Sequence, residues 1–142
     1  MHVFTYGTLM FPEVWRMVVG QSFRAVAGTA AGYAIYRVRQ ATFPGIIAAD
    51  EAQSVRGIVY LDVDAASIER LDRFEDDFYR RLSIPIACDD GERRSAEAYV
   101  VPTEQRSVLT DEIWQADAFV ASGGLAEFIR RFAGFERLAG NG

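Results

Sequence analysis

Lysine is absent from the 142 residues, and all 15 basic side chains are arginine. A Schiff-base lysine and the phosphate-gripping lysine of a P-loop are therefore excluded. Histidine occurs once, as His2, and cysteine once, as Cys88. Together they cannot build a zinc site within one chain. A Ser-His or Cys-His pair would have to recruit His2 from a terminus prone to fray. If the chain is an enzyme, its proton chemistry is expected to fall to a carboxylate or a tyrosine. Cys88 lies in the run SIPIACDD with no base beside it in sequence. It reads as a buried, reduced thiol, and the expected compartment is the cytoplasm. No apolar stretch approaches the roughly 18 residues of a membrane span, so no membrane partner is expected. The first residues lack the basic start and long apolar core of a signal peptide. The formal net charge of −5 leaves no basic face for phosphate neutralisation, so nucleic acid is not an expected partner.

What is present is apolar. Half the residues are hydrophobic and 13% aromatic, enough for a packed core without disulfide or metal staples. No repeat, low-complexity tract or linker interrupts the chain, so residues 1–142 are expected to form a single domain. HVFTY (2–6) predicts an opening strand, and FPEVWRMV (11–18) a short helix with Pro12 in its first turn. GTAAGYAIYRV (28–38) and VRGIVYLDV (55–63) read as strands, with FPGIIAAD (43–50) a shorter one behind a Pro-Gly turn. LSIPIAC (82–88) and SAEAYVV (95–101) flank DDGERR, a hairpin signal. LAEFIRRFAGF (125–135) spaces Leu125, Phe128, Ile129 and Phe132 as an amphipathic helix. Five to seven strands, mostly hairpin-linked, predict an α+β domain around a curved antiparallel sheet or barrel.

Two segments raise a question of chemistry. In DAASIERLDRFEDDFYRR (64–81), Asp64 suits an N-cap, and Ile68 and Leu71 set the apolar stripe. At 100° per residue Glu75 falls on that stripe if the helix extends so far, with Asp76 and Asp77 pointing away. A charge there costs several kcal/mol unless it is paired; otherwise its pKa rises. Either the helix stops first and Glu75 meets water, Arg80 or Arg81, or Glu75 lines a pocket as a tuned acid/base beside Tyr79 and Arg81. In VFTYGTLM (3–10), Gly7 either permits a turn through positive φ or brings backbone N–H groups close to a ligand.

Tyr-Gly-Thr-Leu (6–9), Phe-Pro-Gly-Ile (43–46), Val-Arg-Gly-Ile-Val-Tyr (55–60) and Leu-Asp-Arg-Phe-Glu (71–75), running on to Tyr79 and Arg81, occur in this order. Together they resemble the γ-glutamylcyclotransferase-like family, in its small single-domain bacterial and plant-like branch. The resemblance covers about residues 2–101, with a looser match at Trp114 and the final helix. It implies a mixed, mostly antiparallel β-barrel with flanking helices and a pocket at one end. It further implies that Glu75 is the catalytic acid/base. Tyr6, Gly7, Thr8, Leu9 and Met10 would bind the γ-glutamyl group, largely through backbone, beside Tyr79 and Arg81. Many relatives place glycine after the glutamate, where this chain has Asp76-Asp77.

The implied reaction needs no metal and no cofactor, in keeping with the composition. A γ-glutamyl α-amine is mostly protonated near neutral pH. One carboxylate can take its proton, let it close a five-membered ring on the γ-carbonyl, and return the proton to the departing amine. The products are 5-oxoproline and an amine, an intramolecular acyl transfer with elimination. Two alternatives share the scaffold: removal of a γ-glutamyl group from a natural-product or polyamine-type amine, and a non-catalytic small-molecule binding domain.

Overall fold

The computed structural model describes residues 1–140, and their side chains as far as Phe132; Asn141 and Gly142, the end of the expected single domain, lie outside the described residues. The strands are β1 (Val3–Thr5), β2 (Ala25–Ala31), β3 (Tyr33–Val38), β4 (Pro44–Ala48), β5 (Ser54–Tyr60), β6 (Arg80–Cys88), β7 (Arg93–Val100) and β8 (Leu109–Ile113). The helices are α1 (Pro12–Val19), α2 (Ala65–Phe74), α3 (Ala116–Ala121) and α4 (Gly124–Gly140). Among the described residues no helix is long and apolar enough to cross a membrane.

Five strands close into a barrel in the order β1-β5-β2-β6-β7, with β7 returning to β1 through a parallel Val3–Glu97 pairing. β4 shares the same edge of β7, also in parallel, through Ile46 and Val100; β3 and β8 extend from it antiparallel. The sheet is thus mixed and mostly antiparallel, with helices outside it. Ile84, Ile86 and Cys88 of β6 alternate inward and meet Phe4, Tyr6, Ile46 and Val59 in the barrel core. Strand alternation predicts this, because successive side chains face opposite sides of a sheet. A second core lies between the barrel and α1 and α2, where Trp15 stacks on Tyr60 at 3.7 Å between ring centroids.

The hairpin at DDGERR forms as read, with β6 and β7 antiparallel from Arg80–Val100 to Ala87–Arg93. Elsewhere the elements differ from expectation. Residues 28–38 are not one strand: Gly32 adopts φ +83° and splits the run into β2 and β3. Pro44 and Gly45 lie inside β4 instead of forming a turn before it. Among the described residues β8 and α3 bring the strands to eight and add a short helix; LTDEI is mostly exposed and carries no apolar alternation to signal a strand.

α2 begins as expected, with the Asp64 carboxylate accepting from the Ser67 N–H at 3.3 Å. Ile68 and Leu71 are buried. It ends at Phe74, and Glu75 takes an extended conformation with φ −75° and ψ 146°. The helical phase that placed Glu75 on the apolar stripe therefore does not apply. A chain that turns extended at this point sends Glu75 and Asp76 together toward the end of the barrel.

Candidate active site

Leaving β1, the chain enters a 3-10 turn at Thr8–Met10, and residues 4–9 line a cavity of about 170 Å³ at the barrel end. Gly7 has φ −127°, which any residue can adopt, so the positive φ expected of it is not found. Its requirement is space: a Cβ there would lie 2.9 Å from Pro44 Cγ and Cδ. The Tyr-Gly-Thr-Leu and Phe-Pro-Gly-Ile segments touch at this point, and both face the cavity. Tyr60 of β5 supports the turn, its hydroxyl donating to the Leu9 carbonyl at 3.1 Å. Among the described residues the N–H groups of Gly7, Thr8 and Leu9 have no backbone acceptor, as expected at the start of a helical turn.

Glu75 and Asp76 line the same cavity, with Phe74 before them. Glu75 is half-buried. Burial, then the negative charges of Asp76 and Asp72, push its carboxyl up to about 8. Burial and Asp77 raise Asp76 as well. Neither neighbouring arginine compensates. Arg80 pairs with Glu104, and Arg81 is held by Asp72 at 3.0 Å and Glu97 at 2.5 Å.

Three tyrosines surround the acid, and each phenol has only one proton to donate. Tyr6 gives its proton to the Tyr99 carbonyl at 2.6 Å, Tyr79 to the Pro44 carbonyl at 2.6 Å, and Tyr99 to the Asp72 carboxylate at 2.7 Å. Burial holds all three phenols above their ordinary range, with the charge of Glu75 adding to it. The phenols are therefore fixed as neutral structural donors. The carboxyls that line this cavity are those of Glu75 and Asp76.

The structure gathers Tyr6, Gly7, Thr8, Leu9, Glu75 and Tyr79 around one cavity, as expected. It does not bring Met10 or Arg81 there. Met10 faces a separate groove past the turn, and Arg81, held in its two ion pairs, lines a neighbouring groove together with Glu75, Asp76 and Tyr79. The sequence reading also missed Phe43, Pro44, Asp76, Tyr99 and Phe128, which complete the wall. Phe43 and Pro44 were within reach, since both sit in a quoted motif; Asp76 was hidden by extending the helix too far. Among the described residues no cluster of three or more His, Cys, Asp or Glu is arranged to hold a metal.

The family model for gamma-glutamyl cyclotransferase, AIG2-like proteins matches residues 3–116. The chain belongs to this family. It is 26% identical over 95 residues to AIG2-like protein A of Arabidopsis thaliana, covering 67% of this chain and 57% of that protein. Across four such Arabidopsis relatives the aligned region spans between 57% and 65% of their length, so the curated relatives it matches are longer proteins. A solution structure from Arabidopsis thaliana superposes with a TM-score of 0.71 at 23% identity, over 96% of this chain and 83% of that one. A solved gamma-glutamyl cyclotransferase superposes with a TM-score of 0.57 at 13% identity, over 70% of this chain and 65% of that one. These superpositions place the barrel of this AIG2-like chain among γ-glutamyl cyclotransferase folds.

Proposed function

We propose that the protein cyclises a γ-glutamyl amine or γ-glutamyl amino acid to 5-oxoproline and releases the amine, with Glu75 as the general acid/base. The observation that carries this reading is the Glu75 carboxyl, raised to about 8 and free of any arginine partner, in a small cavity shared with the Gly7–Leu9 turn. Among the described residues no basic side chain lines that cavity. An anionic or oxyanionic group of the substrate therefore falls to backbone N–H donors, for which the unbonded amides of Gly7, Thr8 and Leu9 are suited.

The substrate's α-ammonium enters beside the desolvated Glu75 and Asp76, and its positive charge favours the carboxylate form of Glu75. Glu75 accepts a proton from the ammonium, and the freed nitrogen attacks the γ-carbonyl carbon. As the tetrahedral intermediate collapses, the bond from that carbon to the leaving nitrogen breaks and Glu75 returns the proton to that nitrogen. The ring nitrogen's second proton passes to the released amine, which departs as its ammonium. One carboxylate serves both steps because nucleophile and electrophile are tethered in one molecule. The test is 5-oxoproline release from a panel of γ-glutamyl compounds by the purified protein. Release by the parent and its loss in Glu75→Gln are expected; no release from any compound rejects the reading.

A further inference from the structure

The inner cavity is too small for a whole substrate. Its volume of about 170 Å³ falls below the roughly 300–1,000 Å³ of ordinary ligand pockets. Beside it lies a wider groove of about 620 Å³, and the two share Phe43, Phe74 and Phe128 as lining. Phe74 directly precedes Glu75 in the chain. Its ring borders both the cavity that holds the acid and the groove. We propose that this groove is the subsite for the departing amine and that it selects an aromatic or large apolar amine. The proposal rests on the cyclisation reading above and names its substrate class.

The rings are arranged as a receptor for such a group. Phe74 meets Phe128 edge-on at 6.2 Å and Phe132 edge-on at 5.7 Å, so these three form one aromatic wall. Phe43 joins them, its loop pinned by the Trp114 indole N–H donating to the Thr42 carbonyl at 2.8 Å. All four rings are half-buried, unlike the large side chains of the barrel core. Apolar rings left partly uncovered at the rim of a cavity that holds convergent carboxyl groups are the features of a ligand surface.

Charge argues against the other amines. The groove's charged lining is Arg37, Arg131 and Glu127, with Glu127 already paired to Arg131 at 2.8 Å. Arg37 is likewise paired, to Glu112 at 2.7 Å, so among the described residues the groove offers no free carboxylate to a cationic tail such as that of a diamine or polyamine. Phe128 and Phe132 lie on α4, beyond the residues 3–116 that the family model matches.

The experiment compares the γ-glutamyl amides of 2-phenylethylamine, methylamine and 1,4-diaminobutane by 5-oxoproline release. The phenylethyl compound should have a kcat/KM at least about tenfold above the other two, the scale set by burying an aromatic group. Phe128→Ala and the milder Phe128→Leu should each narrow that ratio, as should Phe43→Ala. Equal kcat/KM across the series, or an unchanged ratio in folded variants, overturns the subsite. If none of the three compounds yields 5-oxoproline, cyclisation fails as the activity, and calorimetry on the same amides judges the groove separately. Tighter binding of the phenylethyl than of the methyl compound then supports the subsite, and equal binding overturns it.

Discussion

Glu75 is defined less by what it touches than by what its neighbours have already spent. Tyr6, Tyr79 and Tyr99 each donate their one proton elsewhere, and Arg81 is held between Asp72 and Glu97. With its carboxyl at about 8, the kcat/KM of the parent should rise with pH up to about that value, because the free protein must present the carboxylate form. A flat profile between pH 6 and 9 would exclude Glu75 as the base. Glutamine at this position keeps the shape and cannot exchange a proton. Glu75→Gln should therefore lower turnover by roughly 10²–10⁴ while a γ-glutamyl ligand still binds. Gly7 makes a steric demand instead. In Gly7→Ala the new methyl meets the Pro44 ring at 2.9 Å, and a proline ring cannot rotate away. A loss of about 1–3 kcal/mol is expected in a denaturant melt. Part of it should return in the Gly7→Ala/Pro44→Ala double variant, which measures the coupling directly.

Between residue and barrel, the elements act by fixing where two short loops end. β5 carries Tyr60, whose ring stacks on Trp15 of α1 and whose hydroxyl holds the Leu9 carbonyl. Tyr60→Phe keeps the stack and deletes the bond. It should cost about 1 kcal/mol and raise KM more than it lowers kcat, since the turn is loosened while Glu75 stays in place. An unchanged KM would show that Tyr60 serves packing alone. On the opposite wall, the end of α2 at Phe74 lets the chain turn extended and deliver Glu75 and Asp76 to the cavity. The apolar periodicity of Ile68 and Leu71 was legible and the stop was not. Nothing in Arg-Phe-Glu-Asp-Asp breaks a helix as glycine or proline would, so propensity alone allows it to continue. Gly32 shows the same limit from the other side. An unbroken apolar run read as one strand, and the glycine's φ of +83° makes it two.

Across the whole molecule, the raised carboxyl of Glu75 links the site to folding. Its value is about 8 in the folded chain against an ordinary 4.5, so between those limits the folded state holds a proton that the unfolded chain releases. That contribution is full below about pH 4.5 and is lost as pH rises through about 8, on the order of a few kcal/mol in all. Asp76, also raised, acts in the same direction. Asp64, Asp89 and Asp90 are lowered by their hydrogen bonds and act oppositely, losing their contribution as pH falls. Thermal melts of the parent and Glu75→Gln should therefore nearly coincide at pH 4. The variant should melt several degrees higher at pH 9, because it carries no buried charge to form. Coincident melts at both pH values would place the Glu75 carboxyl in water.

The one-dimensional chain determined the chemistry available to this protein. With no lysine and a single histidine and cysteine, proton transfer had to fall to a carboxylate or a tyrosine, and short-range signals located the β6–β7 hairpin, the start of α2 and the opening strand. Those signals are local: steric limits on a turn, a cap's hydrogen bond, side chains alternating along a strand. Which tyrosines are spent, why Gly7 must be glycine, and that Arg81 faces Asp72 and Glu97 were decided only by closure of the barrel. Closure sets residues far apart in the chain against one another, as where Gly7 meets Pro44 and where Tyr6 donates to Tyr99. Desolvation and charge proximity at Glu75 arise from the same closure, because both depend on what surrounds a group in space and not on what flanks it in the chain.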